Sequence, residues 1–170
     1  MMTLICTRKL LDLLGREAAE DPPASTTALG DWYANVIATP AGELIIFVSE
    51  HSLLTVALPV AAMDALIPSL VTRVYNLLLN LGVSLEVARL ECDELRPVTY
   101  AKTASRSVLG SMNDIAWGYY VAAESAIDEG RTPRISEAEL RMSERPHSPL
   151  DQTFPDEAAR SILAERYGEI

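Results

Sequence analysis

Residues 31–58 read DWYANVIATPAGELIIFVSEHSLLTVAL, and their pattern predicts the core of a sheet. Residues 31–39 are rich in β-branched and aromatic side chains, and two similar runs follow at 44–49 and 53–58. Because only short turns separate the three runs, they are predicted to form an antiparallel meander. The middle run is apolar at every position from 44 to 48, so both of its faces must be covered. We therefore expect helices packed on a sheet.

The flanking sequence supplies those helices. Apolar side chains recur at three- and four-residue spacing over 66–81 and over 108–127, which predicts two long amphipathic helices. Shorter segments add strands at 3–6 and 97–102 and helices at 8–16, 84–95, 136–143 and 155–167. The 84–95 segment also fits a strand, although less well. The predicted fold class is α+β: an antiparallel sheet of four to five strands with helices packed on it, plus an irregular helical C-terminal tail.

The composition limits the number of domains and the kinds of partner. A chain of 170 residues with 49% hydrophobic residues can bury the core of one domain, which we place at 1–130, with a tail at 131–170 wrapping over it. Its 14 Lys and Arg residues stand against 24 Asp and Glu residues, a net charge of -10. Because that excess repels phosphate backbones and anionic lipid, we expect no direct binding of nucleic acid.

The two cysteines and the apolar segments indicate in which cellular compartment the protein resides. Cys6 and Cys92 belong to no CxxC or Cys/His pattern, so we expect free buried thiols, no metal site and no cofactor. The most apolar region, 66–87, is interrupted by Arg73 and Glu86, which a membrane-spanning helix would tolerate poorly. These features predict a soluble, cytoplasmic protein with no membrane partner.

The segment 102–114, KTASRSVLGSMND, is the strongest candidate for a site. It leads from a predicted strand into a helix, whose first backbone N–H groups and dipole favour an anion. Lys102, Arg106 and the hydroxyl groups would hold a phosphate or carboxylate, while Asn113 and Asp114 would orient a water, a metal or a sugar hydroxyl. The candidate ligand-binding residues here are Lys102, Ser105, Arg106, Ser107, Ser111, Asn113 and Asp114.

A structural interpretation of the same segment stays open. Ser105 or Ser107 would then cap the helix. Asp114 would pair with Arg106 or Lys102. The segment also lacks the GxxxxGK[ST] spacing of a phosphate-binding loop.

Residues 30–35, GDWYAN, form a second candidate. Strand alternation places Trp32 on one face and Tyr33 and Asn35 on the other, where their polar groups would line a groove. We include all three among the candidate ligand-binding residues. In the alternative interpretation Trp32 belongs to the core and Asn35 satisfies loop backbone. The binding interpretation requires this strand to lie beside Arg106.

The remaining titratable residues show no catalytic pattern. His51 and His147 have no partner at a recognisable spacing, so we predict neither a triad nor a metal ligand. The acidic residues over 137–157, Glu139 among them, are interspersed with Arg and indicate a solvated face.

Four sequence motifs resemble those of a family of small bacterial or phage proteins that is described only as a domain of unknown function. The motifs are CTRKL at 6–10, GDWYAN at 30–35, KT at 102–103 and RSVLGSMND at 106–114. The resemblance spans roughly residues 3–126. It implies a bacterial or phage source and one compact α+β domain, with no known activity or ligand to transfer.

Three functions are consistent with these features. The first is a non-catalytic binding or interaction protein with a polar cleft for an anionic group or a protein partner. The second is an enzyme acting on a nucleotide or phosphate ester, with Arg106 and Lys102 neutralising charge and Asp114 as base or metal ligand. The third is an acidic inhibitor or regulator of a nucleic-acid-binding protein. The sequence does not fix the oligomeric state, although exposed aromatic residues such as Trp117 or Tyr120 would indicate an interface.

Overall fold

The computed structural model describes residues 1–103, 106–146 and 153–168. It contains five strands: β1 (Met2–Cys6), β2 (Trp32–Thr39), β3 (Gly42–Ser49), β4 (Thr55–Pro59) and β5 (Val98–Lys102). The helices are α1 (Arg8–Leu14), a 3-10 segment (Val60–Ala65), α2 (Leu66–Asn80), α3 (Leu85–Glu94), α4 (Arg106–Asp128), α5 (Ile135–Ser143) and α6 (Pro155–Tyr167). The fold class is therefore α+β, as predicted.

The five strands form one mixed sheet in the order β4-β3-β2-β1-β5. The predicted meander is confirmed, because β2–β3 and β3–β4 pair antiparallel. The prediction of a purely antiparallel sheet is wrong, because β1 pairs parallel with both β2 and β5. The physical reason is the connection from β1 to β2, which crosses one face of the sheet through α1. Because this crossover brings the chain back to the starting end of the sheet, β2 runs in the same direction as β1.

Side chains that alternate along the central strands contribute to two separate hydrophobic cores, one on each face of the sheet. On one face, Trp32 and Phe47 pack with apolar residues of α1, α2, α3 and α6. On the other face, Tyr33 and Ile46 pack with apolar residues of α4 and α5. Because residues 45–48 are all buried, the expectation that β3 is covered on both faces is confirmed.

The C-terminal helices contribute to both cores. Met142 of α5 is buried in the core beneath α4. Ala159 and Leu163 of α6 are fully buried in the core on the opposite face. The region predicted as a wrapping tail thus supplies buried side chains on both sides of the sheet.

The α3 helix anchors two distant segments of the chain. It begins after Ser84, whose hydroxyl accepts the N–H of Val87, so the helical interpretation of 84–95 is confirmed. Its Glu91 is fully buried. The Glu91 carboxylate accepts the backbone N–H groups of Ala28 and Leu29 at 2.9 and 3.0 Å and the Tyr167 hydroxyl at 2.8 Å. These bonds tie the loop before β2 and the end of α6 to α3.

Glu139 of α5 is also buried, so the prediction that it lies on a solvated face is wrong. One of its carboxylate oxygens accepts the backbone N–H of Ala57 at 2.9 Å, and both accept hydrogen bonds from the Arg73 guanidinium. Burial raises the pKa of Glu139, and the bonds from Arg73 and Ala57 oppose that rise. The sequence could not show this burial, because the partners lie far away along the chain.

Both cysteines are free and buried, as predicted. Within the described ranges, no helix combines the length and apolar character that crossing a membrane requires. The same part of the chain holds no group of three or more His, Cys, Asp or Glu side chains arranged for a metal ion.

Candidate functional site

The predicted site at 102–114 begins where two parallel strands end side by side. β1 and β5 are neighbours and point the same way, with Cys6 opposite Lys102. The helix after β1 packs on one face of the sheet and the helix after β5 packs on the other. In sheets with parallel strands, such a divergence opens a crevice at the carboxyl ends of the strands.

Three of the predicted residues lie on elements that begin or end at this edge. Lys102 is exposed at the end of β5, and Ser107 is exposed in the first turn of α4. Asn35 of β2 is half-buried, and its side-chain oxygen accepts the Thr7 hydroxyl at 2.9 Å. Ser105 and the Arg106 side chain lie outside the described parts of the structure, so their roles stay predictions.

The other predicted residues point elsewhere. Asn113 and Asp114 are exposed on α4, whereas Ser111 is buried and its hydroxyl donates to the Ser107 carbonyl at 3.4 Å. Tyr33 is buried beneath α4. Trp32 is fully buried in the core on the opposite face of the sheet, which fits its interpretation as a core residue.

A second cleft lies at the other end of α4, between α4, α5 and the β2–β3 turn, and we call it the arginine cleft. Its volume is about 170 Å³. The lining residues are Thr39, Ala41, Glu43, Leu44, Pro59, Tyr119, Ala122, Ala123, Ala126, Arg131, Pro133, Arg134, Ile135, Glu137, Ala138 and Arg141. Most of these are apolar, and the charged ones include three arginines.

Small side chains create the hollow. Ala122, Ala123 and Ala126 stand on the face of α4 that turns toward the sheet, across from Leu44 of β3 and Ile135 of α5. Larger side chains at these α4 positions would fill the space between the two helices and the sheet. The hollow is therefore a consequence of alanine at successive inward positions of α4.

Two of the three arginines are held by carboxylates. Arg131 donates two hydrogen bonds to Glu129, at 2.9 and 2.7 Å, and lies 3.6 Å from Glu137. Arg134 lies 3.8 Å from the other oxygen of Glu137. The bonds from Arg131 lower the pKa of Glu129, and Glu129 in turn raises the pKa of Arg131. Arg131 is thus paired with two carboxylates, whereas Arg134 has one longer contact to a carboxylate that it shares with Arg131.

Arg141 differs from its two neighbours. Among the residues that the structure describes, it forms no hydrogen bond and no ion pair, and only a longer-range attraction joins it to Glu129. It lies one helical turn beyond Glu137 on α5 and lines the cleft. Within the described residues, the cleft thus combines a largely apolar lining and the Glu43 carboxylate with the Arg141 guanidinium, which no described group pairs.

Sequence reasoning missed the arginine cleft. Arg131, Arg134 and Arg141 follow the turn at Gly130, in a region that showed only a weak pattern. The available signal was the run of inward alanines on α4 followed by three arginines within eleven residues. Such a signal indicates a cleft only once the packing of α5 on α4 is known.

Comparison with known protein families supports the expected membership in a family of unknown function. A family described as "Domain of unknown function (DUF6933)" matches residues 3–158. The chain belongs to this family. The DUF6933 match extends from β1 into α6, so it includes both the edge at β1 and β5 and the arginine cleft. Searches of curated proteins and of solved structures returned no match.

Proposed function

We propose that this DUF6933 protein is a non-catalytic binding protein that takes a small anion with a short apolar body into the arginine cleft. The observation that carries the proposal is the Arg141 guanidinium, which has no hydrogen-bond or ion-pair partner among the described residues, beside an apolar hollow in a chain whose net charge is -10. In such a chain, a guanidinium that faces a cleft without a carboxylate partner supports recognition of an outside anion.

The size of the cleft limits the ligand. A cavity of about 150 Å³ lined by apolar side chains accommodates benzene. The arginine cleft, at about 170 Å³, therefore suits an apolar body of similar size carrying one carboxylate or phosphate. Aromatic and branched-chain carboxylates have both features.

The lining residues favour binding over catalysis. The described lining includes no His, Cys or Ser, and its Thr39, Tyr119, Glu43 and Glu137 do not form a nucleophile–base pair in the hydrogen bonds of the structure. The start of α4, which the sequence predicts as an anion site, is a second location for the same function. An enzyme acting on phosphate esters would use that location instead.

Thermal unfolding with small ligands tests the proposal. Benzoate and isovalerate should raise the melting temperature, whereas benzamide, which lacks the charge, should not. A ligand at one hundred times its Kd adds about 2.7 kcal/mol, a shift of about 5–10 °C for a chain of this size. Inorganic phosphate, which has no apolar body, should give a smaller shift than benzoate.

Three variants locate the site. Arg141→Ala should abolish the benzoate shift, and Ala126→Leu should abolish it by filling the hollow. Arg89→Ala is the matched control, because Arg89 is exposed on α3 and absent from the cleft lining. If Arg106→Ala abolishes the shift while Arg141→Ala retains it, the anion binds at the start of α4 and the proposal for the cleft is wrong.

A further inference from the structure

The outward face of α4 is an exposed stripe along a helix of 23 residues, about 34 Å long. Helical spacing places its members on one side of α4: Gly110, Asn113, Asp114, Trp117, Tyr120, Val121, Glu124 and Asp128. Tyr120 is half-buried and all the others are exposed. We call this surface the α4 stripe.

An aromatic pair lies at the centre of the α4 stripe. Trp117 is 63% exposed, and its ring stacks on Tyr120 with centroids 5.4 Å apart and planes 5° apart. Val121, beside Trp117, is 40% exposed. A large exposed tryptophan next to a tyrosine is typical of the residues that dominate binding energy at protein interfaces.

The charged residues of the stripe itself have one sign, and one guanidinium, that of Arg145 after α5, lies beside α4 at Gly118. Asp114, Glu124 and Asp128 belong to the stripe, and residues 107–128 of α4 contain no Lys or Arg. None of the three carboxylates forms an ion pair within the described part of the chain. A partner that covers the aromatic rings therefore meets three carboxylates that form no ion pair within the described residues.

We propose that the α4 stripe docks a basic, amphipathic segment of another protein, whose apolar side chains and arginines cover Trp117 and Tyr120. Arginine is suited to both features, because it pairs with carboxylates and stacks on aromatic faces. A second copy of this chain is a poorer occupant, because two acidic stripes would then face each other. Each copy also carries a net charge of -10, so the two copies repel.

This surface is independent of the arginine cleft. The cleft uses Ala122, Ala123 and Ala126 on the inward side of α4, whereas the stripe lies on the outward side. The two proposed sites thus lie on opposite sides of α4, so an experiment that rejects one proposal leaves the other standing.

Tryptophan fluorescence provides a direct readout. The probe is a synthetic 15-residue peptide with leucine and arginine segregated on one helical face, and its control is a scrambled peptide of identical composition. Trp32 is fully buried, so a change in emission or in acrylamide quenching reports on Trp117. The segregated peptide should protect Trp117 and should bind at least tenfold more tightly than the scrambled peptide.

Variants separate docking on the stripe from general attraction to an acidic protein. A triple variant, Asp114→Asn with Glu124→Gln and Asp128→Asn, should weaken binding at least tenfold, measured by fluorescence anisotropy of labelled peptide. The matched control, Glu17→Gln with Glu20→Gln and Asp21→Asn, removes the same charge from exposed loop positions and should bind as the wild type does. Trp117→Ala should also weaken binding at least tenfold.

Three results would overturn the proposal. One is equal affinity for the segregated and scrambled peptides. Another is an equal loss of affinity in the two triple variants. The third is a wild-type dimer in sedimentation that Trp117→Ala converts to a monomer, because a second copy would then occupy the stripe.

Discussion

The carboxylate of Glu139 on α5 accepts the backbone N–H of Ala57 on β4 at 2.9 Å. Because β4 is the last strand on its side of the sheet, this bond satisfies a backbone donor that would otherwise lie unpaired at the edge. Arg73 of α2 reaches the same carboxylate from the opposite face of the sheet. Glu139 therefore joins α5, which forms one wall of the arginine cleft, to α2 on the other face of the sheet around the edge of β4.

Replacing Glu139 should be costly. Glu139→Ala removes the acceptor of the Ala57 N–H and leaves Arg73 without its partner. Removing one member of a buried pair costs about 3–5 kcal/mol, and we expect the low end because the Arg73 side chain is 27% exposed and can reach water. Urea unfolding measures the loss. Glu144→Ala, at an exposed position at the end of α5, should change stability by less than about 0.5 kcal/mol. Equal effects of the two variants would contradict this role for Glu139.

The same carboxyl group should contribute to the pH dependence of stability. Burial raises the pKa of Glu139 in the folded protein above its unfolded value of about 4.3. Between these two values the folded state binds more protons, so this contribution to stability is fully present below the unfolded pKa and is lost as pH rises through the folded pKa. Unfolding free energies of the wild type and Glu139→Gln, measured from pH 4 to pH 7, should show the wild type losing stability relative to the variant. A difference that stays constant over this range would contradict the raised pKa.

Gly118 and Met142 should be energetically coupled. A Cβ atom at Gly118 would overlap the side chain of Met142, so the glycine lets α5 approach α4 closely. Alanine is intrinsically better than glycine within a helix by about 1 kcal/mol. Gly118→Ala should therefore stabilise a Met142→Ala background by about 1 kcal/mol but give less gain, or a loss, in the wild type. A double-mutant cycle measures the difference, and strict additivity would contradict the close contact.

Cys6 and Cys92 should be unreactive in the folded protein. Burial raises the pKa of each thiol to about 12, with Glu91 and Asp93 adding to the rise at Cys92. Since the thiolate is the reactive form, the folded protein should react with a thiol reagent at pH 8 only as fast as local or global unfolding exposes the thiols. Both cysteines should react at once in denaturant. Rapid labelling of either thiol under native conditions would contradict their burial.

The local elements could be predicted from sequence because the physical signal is itself local. The β2–β4 meander follows from short turns, and α4 follows from apolar spacing over 108–127. The parallel pairing of β1 could not be predicted in this way, since nothing in residues 3–6 indicates which strand lies beside them. Long-range pairing of that kind depends on how the connecting segment crosses the sheet.

The candidate sites also differ in whether their sequence signal is local or depends on long-range packing. Residues 102–114 stand out because hydroxyl and basic side chains meet a helix start within one segment. The arginine cleft requires the turn after α4 to fold α5 back, which brings Arg141 near Leu44. Similarly, Glu139 looks like a surface residue until Arg73 is placed beside it. Sequence patterns detect contiguous sites, whereas these two arrangements depend on packing between elements.

We expect the arginine cleft to bind a small carboxylate with an apolar body. Methyl and amide NMR spectra recorded during a benzoate titration test it most directly. We expect saturable shifts centred on Leu44, Ala122, Ala126, Ile135 and Arg141, and none of them in Arg141→Ala. Shifts centred on Lys102 and Ser107 instead, or no saturable shift at millimolar benzoate, would contradict the claim.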